Sequence, residues 1–256
     1  MMICSRCGAK RAPTANYCPS CGTPTLAHKR QHRERTNADR SRRRTAVLAL
    51  AVTVIGPLVV GVLAYRGMED AAEWIQDLAN FSVSVASAWF AYHLLRRHRT
   101  QDAMGAGLHG RTMLEGAWVY PVAILTGFST WSIAWLYVEF GYRAFVTTAI
   151  EETAALPPST TAWDIAAIVV IAPIVEEALC RGAAWEALKR LADGRTTVLG
   201  TAAIFAILHG MNGGVSLELP HRFVGGVAFG CLRLASGSVR PSIVAHAVHN
   251  ALALVV

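Results

Sequence analysis

Three groups of polar and ionisable residues fall within segments that are otherwise apolar. Glu176-Glu177-x-x-x-Arg181 ends the apolar run from Thr161 to Cys180, Phe205-x-x-x-His209 ends another, and His246-x-x-x-Asn250 lies in a third. Charge at hydrocarbon depth is costly and is by default a functional signal. These residue types match the needs of peptide hydrolysis, which requires a base to activate water and donors or a cation for the tetrahedral oxyanion. Helical spacing divides the labour. Glu177 and Arg181 are i and i+4, so the arginine neutralises that carboxylate. Glu176, about 100° further round, is left to act as base. His246 and Asn250 are also i and i+4, with His249 near them, and His209 belongs to a third helix.

A second chemistry is written into the first residues. Cys4-x-x-Cys7 and Cys18-x-x-Cys21 form two knuckles, each closed by a glycine, Gly8 and Gly22. Four thiolates in this spacing predict a tetrahedral structural zinc, with a disulfide pair as the alternative. So short a module has little core, and the metal supplies its stability. Thiolate ligation places it in a reducing compartment. Cys180 and Cys231, in apolar segments, read as small buried hydrophobes.

The elements that must position these residues are long and apolar. Hydrophobic residues make up 53% of the 256-residue chain and charged ones only 16%, against about 25% in soluble domains. The first 45 residues hold eleven Lys and Arg against Glu34 and Asp39, a local +9, so with +7 overall the remainder is at −2. The basicity is that of a tail ending in Arg42-Arg43-Arg44, which suits a topology signal and anionic lipid headgroups rather than nucleic acid. Spans are expected at Ala46 to Tyr65, Ala71 to Leu95, Ala117 to Phe140 and Thr161 to Cys180. Three shorter ones follow, Thr196 to His209, Phe223 to Ala235 and Pro241 to Val256. Arg96, Arg97, Arg99, Lys189, Arg190, Arg195 and Arg240 then share a side with the basic tail, whereas Glu69, Asp70, Glu151 and Glu152 face the other. The N-terminus is therefore expected in the cytoplasm. The fold class is an all-α polytopic membrane protein, a bundle of about seven transmembrane helices behind a four-cysteine zinc ribbon. Its domains are a ribbon at 1–26, a basic cytoplasmic linker at 27–45, N-terminal membrane helices at 46–160 and a catalytic core at 161–256.

In that order and on apolar segments, the three motifs resemble those of the CPBP membrane endopeptidases, which include the CAAX prenyl proteases and the bacteriocin-processing proteins. The stretch Gly226-x-x-x-Gly230 followed by Ser236-Gly237-Ser238 is similar to the family's small-residue helix and turn. The resemblance covers about Thr161 to Val256 and implies an intramembrane metalloendopeptidase acting on a peptide or protein substrate that is lipidated or membrane-bound. Its site would comprise Glu176, Glu177, Arg181, His209, His246 and Asn250. Glu176 is the expected base and His209 the residue that holds the water. His246 with Asn250 would bind a metal or the oxyanion, and His209 with His246 would hold an active-site Zn2+ or other divalent cation. The same residues also serve a metal-free, glutamate-activated water. A non-catalytic immunity or scaffold protein built on the same fold is the alternative, and Glu176→Gln separates the two.

Overall fold

The computed structural model describes residues 1–67, 73–96, 116–142, 161–210 and 219–255. Glu69, Asp70, Arg97, Arg99, Glu151 and Glu152, used above for orientation, lie outside them. The chain divides into two compact units, Met1–Thr45 and Ala46–Val256.

In the first unit, β1 (Met2–Ile3) pairs antiparallel with β2 (Lys10–Arg11). The two knuckles have the same backbone construction. Gly8 N–H donates to Cys4 O and Gly22 N–H to Cys18 O, while Cys4 N–H and Cys18 N–H donate to Ala9 O and Thr23 O. Both turns require positive φ, +72° at Gly8 and +65° at Gly22, a region that side chains with a Cβ enter at a cost. The segment 27–45 is helical. It contains neither glycine nor proline, and i,i+4 pairs Arg30–Glu34 (3.0 Å) and Asp39–Arg43 (3.4 Å) lie along it.

Seven helices account for the rest of the described chain, in keeping with the expected all-α architecture. They are α1 (Leu26–Gly67), α2 (Glu73–Arg96), α3 (116–142), α4 (162–188), α5 (Gly194–Gly210), α6 (Leu219–Ser236) and α7 (Arg240–Ala253). Two of the starts are capped by local chemistry. Thr161 and Asp164 form a reciprocal capping box at the start of α4, and Asp193 Oδ1 accepts from Thr196 N–H at the start of α5. α4 is not a uniform α-helix. Ala167–Ile171 and Ala178–Ala184 wind as π-helix, and the second of these turns holds Arg181. Such wide turns are frequent at functional sites because they redirect side chains.

Close approach of α5 to α6 and of α3 to α7 depends on small residues. On α6, a Cβ at Gly226 would lie 3.0 Å from Ala202 Cα of α5. On α3, a Cβ at Gly127 would fall on the Ala245 carbonyl oxygen and 2.8 Å from Val248 Cβ of α7. Because the obstacle at Gly127 is backbone, Gly127→Val must push α7 away from α3. The expected loss is about 1–3 kcal/mol, read as a lowered unfolding midpoint and folded yield.

Candidate active site

Glu177 and Arg181 form the buried foundation of the site. Both are fully inaccessible, with Arg181 Nη1 2.9 Å from Glu177 Oε1 and Arg181 Nη2 donating to Gly226 O at 2.6 Å. The guanidinium also lies over the rings of Phe205 (4.9 Å) and Phe229 (5.7 Å). One arginine thereby ties α4 to α5 and α6, through contacts that a point-charge lysine would not reproduce.

His246, almost fully buried on α7, rests on this pair. Its Nδ1 is 3.2 Å from Glu177 Oε1, and its ring stacks on Phe229 at 5.1 Å. A carboxylate only accepts, so Nδ1 carries the proton and, in the neutral ring, Nε2 keeps its lone pair. The same logic fixes His209 on α5, whose Nδ1–H donates to Phe205 O at 2.8 Å. Its Nε2 is 3.3 Å from Glu176 Oε2, and His246 Nε2 is 3.7 Å from the same oxygen. Glu176 Oε2 is itself buried and makes no hydrogen bond.

The geometry thus brings Glu176, His209 and His246 to one point, with Glu177 and Arg181 behind His246. Asn250, one turn further along α7, reaches α4 instead, where its amide nitrogen donates to Ile168 O at 2.9 Å. Ile168 lines a cavity of about 280 Å³ that also contains Glu176 and His209, so Asn250 braces the cavity wall. Cys180, buried on α4, lines that cavity too, whereas Cys231 is exposed on α6, contrary to the expectation that both are buried.

Several participants escaped the sequence reading. Asp77, Asn80 and Ser84 of α2 line the same cavity as Glu176. Their polar types inside an apolar segment were the available signal. Arg222 of α6 acts electrostatically on Glu176, His209 and His249. On α3, the buried Thr130 hydroxyl donates to Gly127 O and therefore accepts from His249 Nδ1–H at 3.1 Å. Nothing local in Thr130 betrays that contact, which joins residues 119 positions apart.

Residues 158–252 match the model for type II CAAX prenyl endopeptidase Rce1-like proteins. This region is similar to that family. The match spans α4 to α7 and takes in all six candidate residues, while the α2 cavity wall and Thr130 lie outside it. The family is membrane-embedded and of the CAAX-type intramembrane protease kind. Residues 3–25 match a zinc-ribbon domain. No curated protein and no solved structure matches the chain.

The ribbon residues fit a zinc ion. The four Sγ atoms lie within 4.8 Å of one another, with Cys4–Cys21 at 3.8 Å and Cys7–Cys18 at 3.6 Å. Tetrahedral ligation at 2.3 Å separates sulfurs by about 3.8 Å. Thr23 Oγ1, 3.1 Å from Cys21 Sγ, brings that thiol down to about 6, and backbone N–H groups of Cys7 and Arg6 also lower Cys4. Cys4 and Cys21 are thus biased toward thiolate, whereas the neighbouring cysteine thiols push Cys7 up to about 12. Protons compete with zinc for thiolates. Thr23→Val raises the Cys21 thiol, so zinc release on acidification is expected at a higher pH than in the parent, followed with a chromophoric zinc indicator. Cys18→Ser is expected to reduce zinc content from about one per chain to near zero by elemental analysis.

Proposed function

We propose that the protein is a multi-pass intramembrane metalloendopeptidase that hydrolyses a peptide bond with water activated by Glu176. The observation that carries this reading is Glu176 Oε2, buried and faced by the Nε2 atoms of His209 and His246, whose Nδ1 atoms are engaged by Phe205 O and Glu177 Oε1. Two imidazole nitrogens on either side of a carboxylate oxygen suit the binding and polarisation of a water molecule. His209 Nε2 and His246 Nε2 would be the nitrogen ligands of a divalent cation, although among the described residues only the four ribbon cysteines already converge closely enough to hold a metal. Bound there, a Zn2+ or other divalent cation would lower the pKa of water and stabilise developing negative charge.

The side chains supply the remaining chemistry. Glu176 takes the proton of the attacking water at Oε2 and returns it to the leaving amine. Phe205 O fixes the His209 ring so that Nε2 faces that water. Glu177, held by Arg181, does the same for His246. The second N–H of Asn250 is available to the oxyanion, since only one is used on Ile168 O. Phe205 and Phe229 keep the surroundings apolar, which strengthens each of these interactions.

Membrane embedding rests on the family and on the helix surfaces. By length and composition, one helix among the described residues, Gly116–Phe140, can cross a membrane. Leu125, Phe128, Trp89 and Ile55 are over half exposed on three different helices, a surface that suits lipid better than water. The N-terminus is assigned to the cytoplasm, with the helical basic segment at the anionic leaflet. Labelling of single cysteines at positions 35 and 151 is expected from opposite sides of the membrane. Protection in the reverse pattern overturns the topology.

The substrate class is a membrane-bound or lipidated peptide or protein. Quantitative proteomics of membrane peptides from cells carrying the parent or Glu176→Gln tests it. Fragments present only with the parent identify the substrate, and indistinguishable peptide sets overturn the assignment.

A further inference from the structure

A second cavity, of about 470 Å³, lies between α2, α4 and α7 against a different face of α4. Its lining on α4 recurs every four residues at Ile174, Ala178, Gly182 and Glu186, and continues to Arg190 in the turn just past the helix. On α2 it runs from Ala88 to Arg96. On both helices the wall is apolar where it begins and charged where it ends. A cavity graded in this way fits an amphiphile rather than a wholly apolar or wholly polar ligand.

The charged end is basic. Glu186 is engaged by Arg233, 3.4 Å away, which itself sits over Trp185. This leaves Arg96 and Arg190 as the excess. Arg190 Nη2 donates to Leu95 O at 3.1 Å, but its Nη1 is buried with no hydrogen-bond partner. A buried, unsatisfied guanidinium nitrogen beside a cavity is a vacancy for an acceptor, and phosphate oxygens suit it best.

We propose that this cavity binds one glycerophospholipid, with its phosphodiester on Arg190 Nη1 and Arg96 and an acyl chain along Ala88, Ile174, Ala178 and Ile243. The lipid would fill the space between α2 and α4, both of which also line the Glu176 cavity, and so set their spacing there. The inference rests on the membrane reading above but not on catalysis.

The test uses the full-length protein, purified in detergent, stripped of lipid and offered phosphatidylglycerol or glycerol 3-phosphate, with bound mass read by native mass spectrometry. One phosphatidylglycerol per chain is expected, and no glycerol 3-phosphate at the same concentration. Arg190→Gln and Arg96→Gln are each expected to weaken retention about tenfold, the value of one charge-assisted hydrogen bond. Ile243→Trp is expected to abolish it by occupying the chain's place. Arg96→Gln and Ile243→Trp leave the Arg190–Leu95 bond intact, so they remain informative if Arg190→Gln folds poorly. Unchanged retention in both overturns the proposal, as does equal capture of glycerol 3-phosphate. Loss of peptide cleavage with lipid retention intact would fail the protease reading alone, whereas recovery of the chain in the soluble fraction after alkaline extraction would overturn this inference with the membrane assignment.

Discussion

Glu176→Gln is expected to abolish proteolysis while leaving the protein folded and membrane-inserted. Loss of a general base costs roughly two to four orders of magnitude in rate. The geometry adds a sharper expectation about stability. In the parent, Glu176 Oε2 faces the lone pair of His209 Nε2 at 3.3 Å without a hydrogen bond. A glutamine amide in that place can donate to the same nitrogen, so Glu176→Gln should unfold no more readily than the parent, and at a slightly higher temperature if the new bond forms. A purified variant that cleaves a defined membrane substrate at near-parental rate would sink the catalytic assignment and favour a non-catalytic scaffold. His209→Ala and His246→Ala are expected to lose activity comparably. Removing metal with a chelator should do the same if the two Nε2 atoms hold a cation.

Arg181→Ala should behave differently, with failure at the level of folding. The guanidinium is fully buried, neutralises Glu177, bonds Gly226 O and lies over two phenylalanine rings. Its removal strands a buried carboxylate, at a cost of about 3–5 kcal/mol, a large part of the stability of most domains. Arg181→Lys should recover the charge but not both hydrogen bonds. The paired change Glu177→Gln with Arg181→Met removes both charges and should restore folded yield, since a buried ion pair often stabilises no more than an apolar substitute. It should not restore activity, because the neutral amide holds His246 less firmly. Folded yield by size-exclusion chromatography, set beside cleavage rate, separates the two effects. Equal yields of Arg181→Ala and parent would show that the pair contributes little to folding.

Which residues the sequence exposed and which it concealed follows from how the site is built. The knuckle spacing at Cys4, Cys7, Cys18 and Cys21 is local, because each turn closes on itself through backbone bonds within five residues, and the sequence was sufficient there. The six candidate residues were also visible, since charge is costly in apolar segments and stands out for that reason. Spacing alone likewise paired Glu177 with Arg181 at i and i+4. The helical form of 27–45 is not legible as an apolar stripe, because the contacts along it are side-chain ion pairs.

Tertiary structure decided everything that depends on separate helices meeting. The histidine tautomers follow from Phe205 O and Glu177, and only the folded chain shows Glu176 Oε2 facing both Nε2 atoms. Asn250 bonds Ile168, 82 positions away, and so braces α4. The π-helical turns of α4 rotate side chains away from the 100° spacing assumed for an α-helix, and no residue type announces them. The α2 wall and Thr130 come from helices before the matched region. The sequence by itself determined which residues are chemically able to act and that a zinc ribbon precedes them, because composition and short-range spacing carry that information. The packing of α2 to α7 alone decided which of those residues converge, since a site assembled from several helices is defined by distances that no local pattern encodes.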